Sequence, residues 1–177
     1  RQASMVFVCS MGDLFHEEVP FEYTDKIMNT IWETPRHTYQ LLTKRPERMA
    51  EYFQNHYVPE NAWLGTTVEA AEYKHRIDVL RSIKGSFKFL SCEPLLGDLG
   101  ELDLTGIDWV IVGGESGGKA RPMKEEWVLN IKKQADAQEV AFFFKQWGTW
   151  GNDGVKRSKK ANGKLLQGKI CQEYPQK

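Results

Sequence analysis

Trp109-Val110-Ile111-Val112-Gly113-Gly114-Glu115-Ser116-Gly117-Gly118 is the stretch whose reading decides the fold. An apolar, β-branched run opens directly into glycines, as a buried strand leaving through a tight loop does. In an open doubly wound sheet such a turn follows the first strand and holds a dinucleotide. Here it comes late, after several similar runs. It is neither a G-x-G-x-x-G fingerprint nor a P-loop, because no Gly-Lys-Ser/Thr ending follows. That placement favours the other strand–helix architecture, the (βα) barrel.

Working outward, the same kind of apolar run recurs at Met5–Cys9, Thr38–Leu42, Ala62–Thr67, Phe87–Ser91 and Ala141–Phe144. Continuous hydrophobicity, rather than alternation, predicts parallel strands covered on both faces. Helical spacing fills the gaps. Phe21–Glu33 puts Ile27, Met28, Ile31 and Trp32 on one face, with Pro20 before it and Pro35 beyond. Pro46–His56 and Glu72–Ile83 follow, and Lys124–Ala137 carries Glu125 and Glu126 at its start, where a helix favours acids. Leu95–Gly106 reads as a loop. A full eight-unit barrel takes about 250 residues, more than the 177 of this chain. The expected fold is therefore α/β, a partial (βα) barrel of about six parallel strands. The barrel is expected over residues 1–147, with 148–177 a turn-rich basic extension of the same domain that ends in a ribbon near Lys164–Cys171.

An apolar fraction of 41% and 24 basic against 24 acidic residues describe an ordinary globular chain without the charge excess of a dedicated nucleic-acid binder. No apolar stretch reaches the roughly 18 residues of a membrane span, and no signal peptide is visible. Cys9, Cys92 and Cys171 are scattered, and read as buried reduced thiols in a cytoplasmic protein rather than disulfides or a metal site. The chain opens Arg1-Gln2-Ala3-Ser4 without an initiator Met, from which we expect a fragment or a shortened homologue.

The strand exits carry the chemistry. They read Ser10-Met11-Gly12-Asp13, Thr43-Lys44-Arg45, Thr66-Thr67-Val68-Glu69, Cys92-Glu93-Pro94, Gly113-Gly114-Glu115-Ser116 and Lys145-Gln146-Trp147. Any one charge after a strand marks where the chain meets water. A series of them, all at one end of parallel strands, predicts a shared site. Asp13, Glu69, Glu93 and Glu115 supply carboxylates, while Lys44, Arg45 and Lys145 supply compensating charge. Acids alone would suit magnesium; the mixture suits a zwitterion, acids beside its ammonium and Lys or Arg beside its carboxylate. Gly113–Gly118 serves either as a close approach to a ligand or as a tight loop requiring positive φ. Trp147 and Trp150 are expected to pack, and His37, His56 and His75 to lie on the surface.

Taken in order, Ser10–Glu17, Leu42–Met49, Trp63–Glu69, Glu93–Gly97, Trp109–Gly117 and Phe143–Gly148 resemble a bacterial and phage family of unknown function that is similar to radical-SAM proteins and, distantly, to spore photoproduct lyase. The resemblance implies a radical-SAM-like, TIM-type barrel. It also implies S-adenosylmethionine (SAM) as cofactor, with a [4Fe–4S] cluster on a three-cysteine motif after the first strand. Cys9 is not one of those cysteines, so this chain is expected to carry the barrel without the cluster ligands. On that reading Ser10, Asp13, Lys44, Arg45, Gly113, Gly114, Glu115 and Ser116 would hold the cofactor, and Glu69, Glu93 and Lys145 would be catalytic. Substrate and reaction stay open.

Two further readings compete. Strand-end carboxylates would serve a metal-dependent hydrolase or nuclease, with Lys156–Lys160 on phosphates. Alternatively the barrel is a binding module without catalysis, which would self-associate through an open barrel edge.

Overall fold

The computed structural model describes residues 2–176; Arg1, and with it the reading of the chain's start, lies outside the described residues. Six strands follow one another in space as they do in sequence: β1 (Met5–Val8), β2 (Thr38–Thr43), β3 (Ala62–Thr67), β4 (Lys88–Cys92), β5 (Trp109–Gly113) and β6 (Ala141–Gln146). The β1–β2, β2–β3 and β5–β6 pairs are parallel. A doubly wound sheet reverses its strand order at a switch point. No reversal occurs here, and the class is α/β with the sequential order of a partial (βα) barrel. Among the described residues no helix is long and apolar enough to cross a membrane. The chain divides into two compact units, Arg1–Thr67 with His75–Phe89, and Val68–Lys74 with Leu90–Lys177.

In the first unit, α1 (Phe21–Glu33) starts directly after Pro20 and buries Thr24, Met28 and Ile31, one face at helical spacing. Trp32, expected on that face, is instead half exposed, and Thr24 takes a place in the core. The second helix, α2 (Pro46–Phe53), ends before His56 and buries Pro46, Met49 and Tyr52. The helix expected over Glu72–Ile83 is shorter: α3 (His75–Ser82) follows a separate 3-10 turn at Ala71–Tyr73. Full coverage of both faces holds for β3 and β4, whose residues are all buried. It fails for β1, at one end of the strand order, where Met5, Val6 and Phe7 are exposed. Cys9, expected inside that strand and buried, lies just past it, exposed and at φ 57°.

One buried side chain closes the α1 end. Helices leave their last carbonyls without intrahelical partners. The Asn61 amide donates to Ile31 O and His37 O, each at 3.0 Å, and to Thr34 O at 3.3 Å.

The second unit packs α4 (Glu125–Ala137) through Val128, Ile131 and Ala135. Two glutamines one turn apart on this helix organise the loop before β5. Gln134 accepts from Leu102 N at 2.7 Å and donates to Gly100 O at 2.8 Å, while Gln138 accepts from Leu104 N and donates to Leu102 O, both at 2.9 Å. A loop without secondary structure thus has its peptide groups satisfied by side chains. After the short α5 (Lys159–Asn162), the expected ribbon is an antiparallel hairpin, β7 (Leu165–Leu166) with β8 (Lys169–Ile170). The chain then returns along β6, where Phe144 N donates to Cys171 O at 2.7 Å and Glu173 N to Phe142 O at 3.0 Å. Trp147 is buried and donates to Leu165 O; Trp150 donates to Ala120 O; both pack as expected.

Asn61→Ala removes one donor from each of three buried or part-buried carbonyls, of which Ile31 O and Thr34 O keep a backbone N–H. We expect a loss of about 2 kcal/mol in urea unfolding. An unchanged midpoint would show that the amide does not hold the helix end.

Candidate functional site

The exits of β1 and β2 meet at one carboxylate. Asp13 Oδ1 accepts from Phe15 N at 2.9 Å and from the Thr43 hydroxyl at 2.8 Å. Its Oδ2 accepts from Lys44 N and from the Arg45 guanidinium, each at 3.2 Å. The Thr43 hydroxyl in turn accepts from Arg45 N at 2.9 Å. Asp13 is 17% exposed and its acceptor positions are largely taken by the chain itself. Such a group joins two loops and has little capacity left for a ligand. Ser10 and Lys44 stand exposed beside it in sequence. The His16 ring accepts from Glu18 N at 3.2 Å, closing its own loop.

The second unit uses its exits differently. Its backbone segments run side by side: Val68 N donates to Ser91 O, Leu96 N to Glu69 O, Leu95 N to Gly113 O and Gly114 N to Gln146 O, all within 2.9–3.0 Å. Glu93, 16% exposed, accepts from the Ser91 hydroxyl at 3.3 Å and pairs with Lys145 at 3.1 Å. Lys145 is half exposed, so its ammonium is held by one carboxylate and open to solvent on the other side. Glu69 is 8% exposed. The Cys92 thiol is wholly buried and pushed up, first by burial and then by Glu93 and Glu69, so it stays neutral beside two carboxylates.

The glycine stretch is chiefly a packing solution. A Cβ on Gly113 would lie 2.8 Å from Glu93 Oε2 and 2.9 Å from Gln146 Nε2, so the glycine makes room for the carboxylate. A Cβ on Gly114 would collide with the Trp147 carbonyl. Of the two meanings expected for this loop, positive φ occurs at Gly117 (124°). Glu115 is committed as well. Arg121 grips it through Nε at 2.9 Å and Nη2 at 2.8 Å, and Arg121 N adds a third bond at 2.8 Å. These bonds, the side-chain ones first, hold the Glu115 carboxyl down at about 2. Ser116 is exposed.

The exit residues expected to share one site thus do different work. Asp13 and Glu115 are held by several donors each, whereas Glu93 pairs with the half-exposed Lys145, and Glu69 acts with Glu93 on the Cys92 thiol and also on the Arg121 guanidinium. Sequence reading missed Ser91, Gln146 and Arg121. Ser91 was discoverable, because a residue two before Glu93 on a strand shares its face. Arg121 gave no signal; only the turn of the glycine loop brings it back to Glu115.

Among the described residues no group of His, Cys, Asp or Glu is arranged to hold a metal ion. Cys9 follows β1, Cys92 lies inside β4 and Cys171 follows β8, all with free thiols, so no three cysteines here fit a [4Fe–4S] cluster. Comparison with family models matches residues 1–175 to the proteins of unknown function grouped as DUF5131. The chain belongs to this family. No curated protein and no solved structure matches it. A family of unknown function is what the ordered motifs implied; the DUF5131 match adds nothing on radical-SAM chemistry or phage origin.

Because the Glu115 carboxyl is depressed on folding, its contribution to stability is present above its ordinary value of 4.5 and is lost as pH falls towards 2. Arg121→Ala should move the Glu115 titration, followed by carboxyl NMR, from about 2 to above about 3. An unmoved titration would mean that the guanidinium is not what holds it.

Proposed function

We propose that the strand exits of the second unit bind a small zwitterionic metabolite of the SAM type, in a radical-SAM-like barrel protein. The observation that carries the reading is Glu93, fixed between the Ser91 hydroxyl and the Lys145 ammonium at the end of β4. A carboxylate so restrained keeps acceptor capacity for a ligand cation, and a half-exposed lysine beside it can turn to a ligand carboxylate. Glu69, which acts with Glu93 on the buried Cys92 thiol, would supply a second acid for a ligand carrying both an ammonium and a sulfonium charge. Glu69 and Glu93 then face the positive centres, and Lys145 the carboxylate. The Asp13, Lys44 and Arg45 network is not needed for this assignment. The [4Fe–4S] cluster implied by the resemblance finds no fitting ligands among the described residues, and no step is derived through it. A cytoplasmic setting goes with the free thiols.

Isothermal titration with SAM tests the reading. Wild-type protein should bind SAM more tightly than S-adenosylhomocysteine, which lacks the sulfonium charge. Glu93→Gln and Glu69→Gln should each weaken SAM binding about ten- to a hundredfold, the value of a hydrogen bond to a charged group. No binding of SAM, or binding indifferent to both variants, defeats the proposal. Magnesium binding lost in Glu93→Gln, with SAM silent, would favour the hydrolase reading instead.

A further inference from the structure

The first unit carries a second constellation, away from any strand exit. Asp25, Met28, Asn29 and Trp32 recur at helical spacing along α1, and they line one wall of a cavity of about 480 Å³. Tyr52 of α2, with His56 and Tyr57 beyond its end, lines the other. Within it, the Tyr52 hydroxyl donates to Asp25 Oδ1 at 2.7 Å. Burial and the Asp25 carboxylate push the Tyr52 phenol up, so it remains a donor. The His56 ring lies flat on the Tyr52 ring, centroids 4.1 Å apart and planes at 3°. Its Nδ1 is 2.7 Å from Tyr52 O and its Nε2 3.5 Å from Asp25 Oδ1.

These contacts converge on one oxygen of Asp25. Tyr52 and His56 orient the carboxylate through Oδ1, and among the described residues Oδ2 has no protein donor. The cavity walls also hold two large aromatic faces that folding leaves outside the core, Trp32 at 50% and Tyr57 at 90% exposure. A purely apolar ligand would strip water from Asp25 without compensation. An anion would meet the carboxylate. A cation is served by both features, by charge on Oδ2 and by the ring faces. The chain already uses this chemistry nearby, with the Lys26 ammonium 4.9 Å from the Tyr23 ring centre and the Arg48 guanidinium 4.3 Å from that of Phe21. A neighbouring cavity of about 590 Å³ shares His56 and Tyr57 but includes Lys84, so a cation is directed to the Asp25 side.

We infer that this cavity is a binding site for a guanidinium or alkylated ammonium group, seated on Asp25 between Trp32 and Tyr57. It is separate from the proposed SAM-type site and does not depend on it.

The test follows the Trp32 indole cross-peak in nitrogen–proton NMR, assigned by its loss in Trp32→Phe. Probes are the capped amides of arginine and trimethyllysine, with capped norleucine as the neutral control. We expect saturable shifts at millimolar concentration for the cationic probes, as befits a single side chain, and at least about tenfold weaker binding of norleucine. Asp25→Asn keeps an acceptor for Tyr52 but removes the charge, and should weaken both cationic probes about tenfold. Tyr57→Leu, at a position too exposed to affect folding, should weaken them about fivefold. No shift of the indole, equal binding of norleucine, or unchanged binding in Tyr57→Leu would overturn the inference. An arginine tripeptide bound more tightly than the capped amino acid would assign the cation to a protein partner. Equal binding would assign it to a free small molecule.

Discussion

Parallel pairing of consecutive strands is the constraint from which the rest follows. Strands that run the same way and lie beside their sequence neighbours bring their C-terminal ends together, whatever residues those ends carry. Asp13 meets Thr43 for this reason, although 30 positions separate them. Glu93 and Lys145, 52 positions apart, form an ion pair across the end of β5, where Gly113 lies between them in the strand order. Neither pairing is written in local sequence, yet both follow once the strands are aligned.

The two units put this adjacency to opposite uses. Around Asp13 the loops themselves provide the donors, backbone N–H groups included, and the carboxylate becomes a structural joint. Around Glu93 the adjacent strand ends with Gly113, whose missing side chain leaves the carboxylate a place to sit. A saturated acid stabilises its surroundings; a restrained acid with spare acceptors can bind. Glu115 belongs with the first kind, since Arg121 satisfies it from both the side chain and the main chain.

Backbone accounting explains the parts that are neither helix nor strand. The loop before β5 lies against Gln134 and Gln138, and the last residues of the chain supply hydrogen bonds along β6. Such segments satisfy their peptide groups without forming regular elements. At β1 no described segment does the same, and Met5, Val6 and Phe7 are exposed.

The apolar runs, proline positions and acidic helix start were sufficient to place the six strands and α1, α2 and α4, because each depends on near neighbours in sequence. The late position of the glycine loop was sufficient to choose the sequential strand order. The exits of those strands were legible as places where charge gathers. Which charges are free was not legible, because a carboxylate's remaining capacity depends on donors brought from distant segments. Trp32 shows the same limit: helical spacing put it on the apolar face, but only the packing of α1 decided that Thr24 would be buried and the indole left at a cavity wall. The sequence by itself determined the elements and the side of the sheet on which their polar ends collect, since these rest on local periodicity and a general rule of parallel strands. The tertiary structure alone decided that Asp13 and Glu115 each gather several donors while Glu93 is held by one hydroxyl and one lysine, since hydrogen bonds between distant residues exist only once the chain has closed on itself.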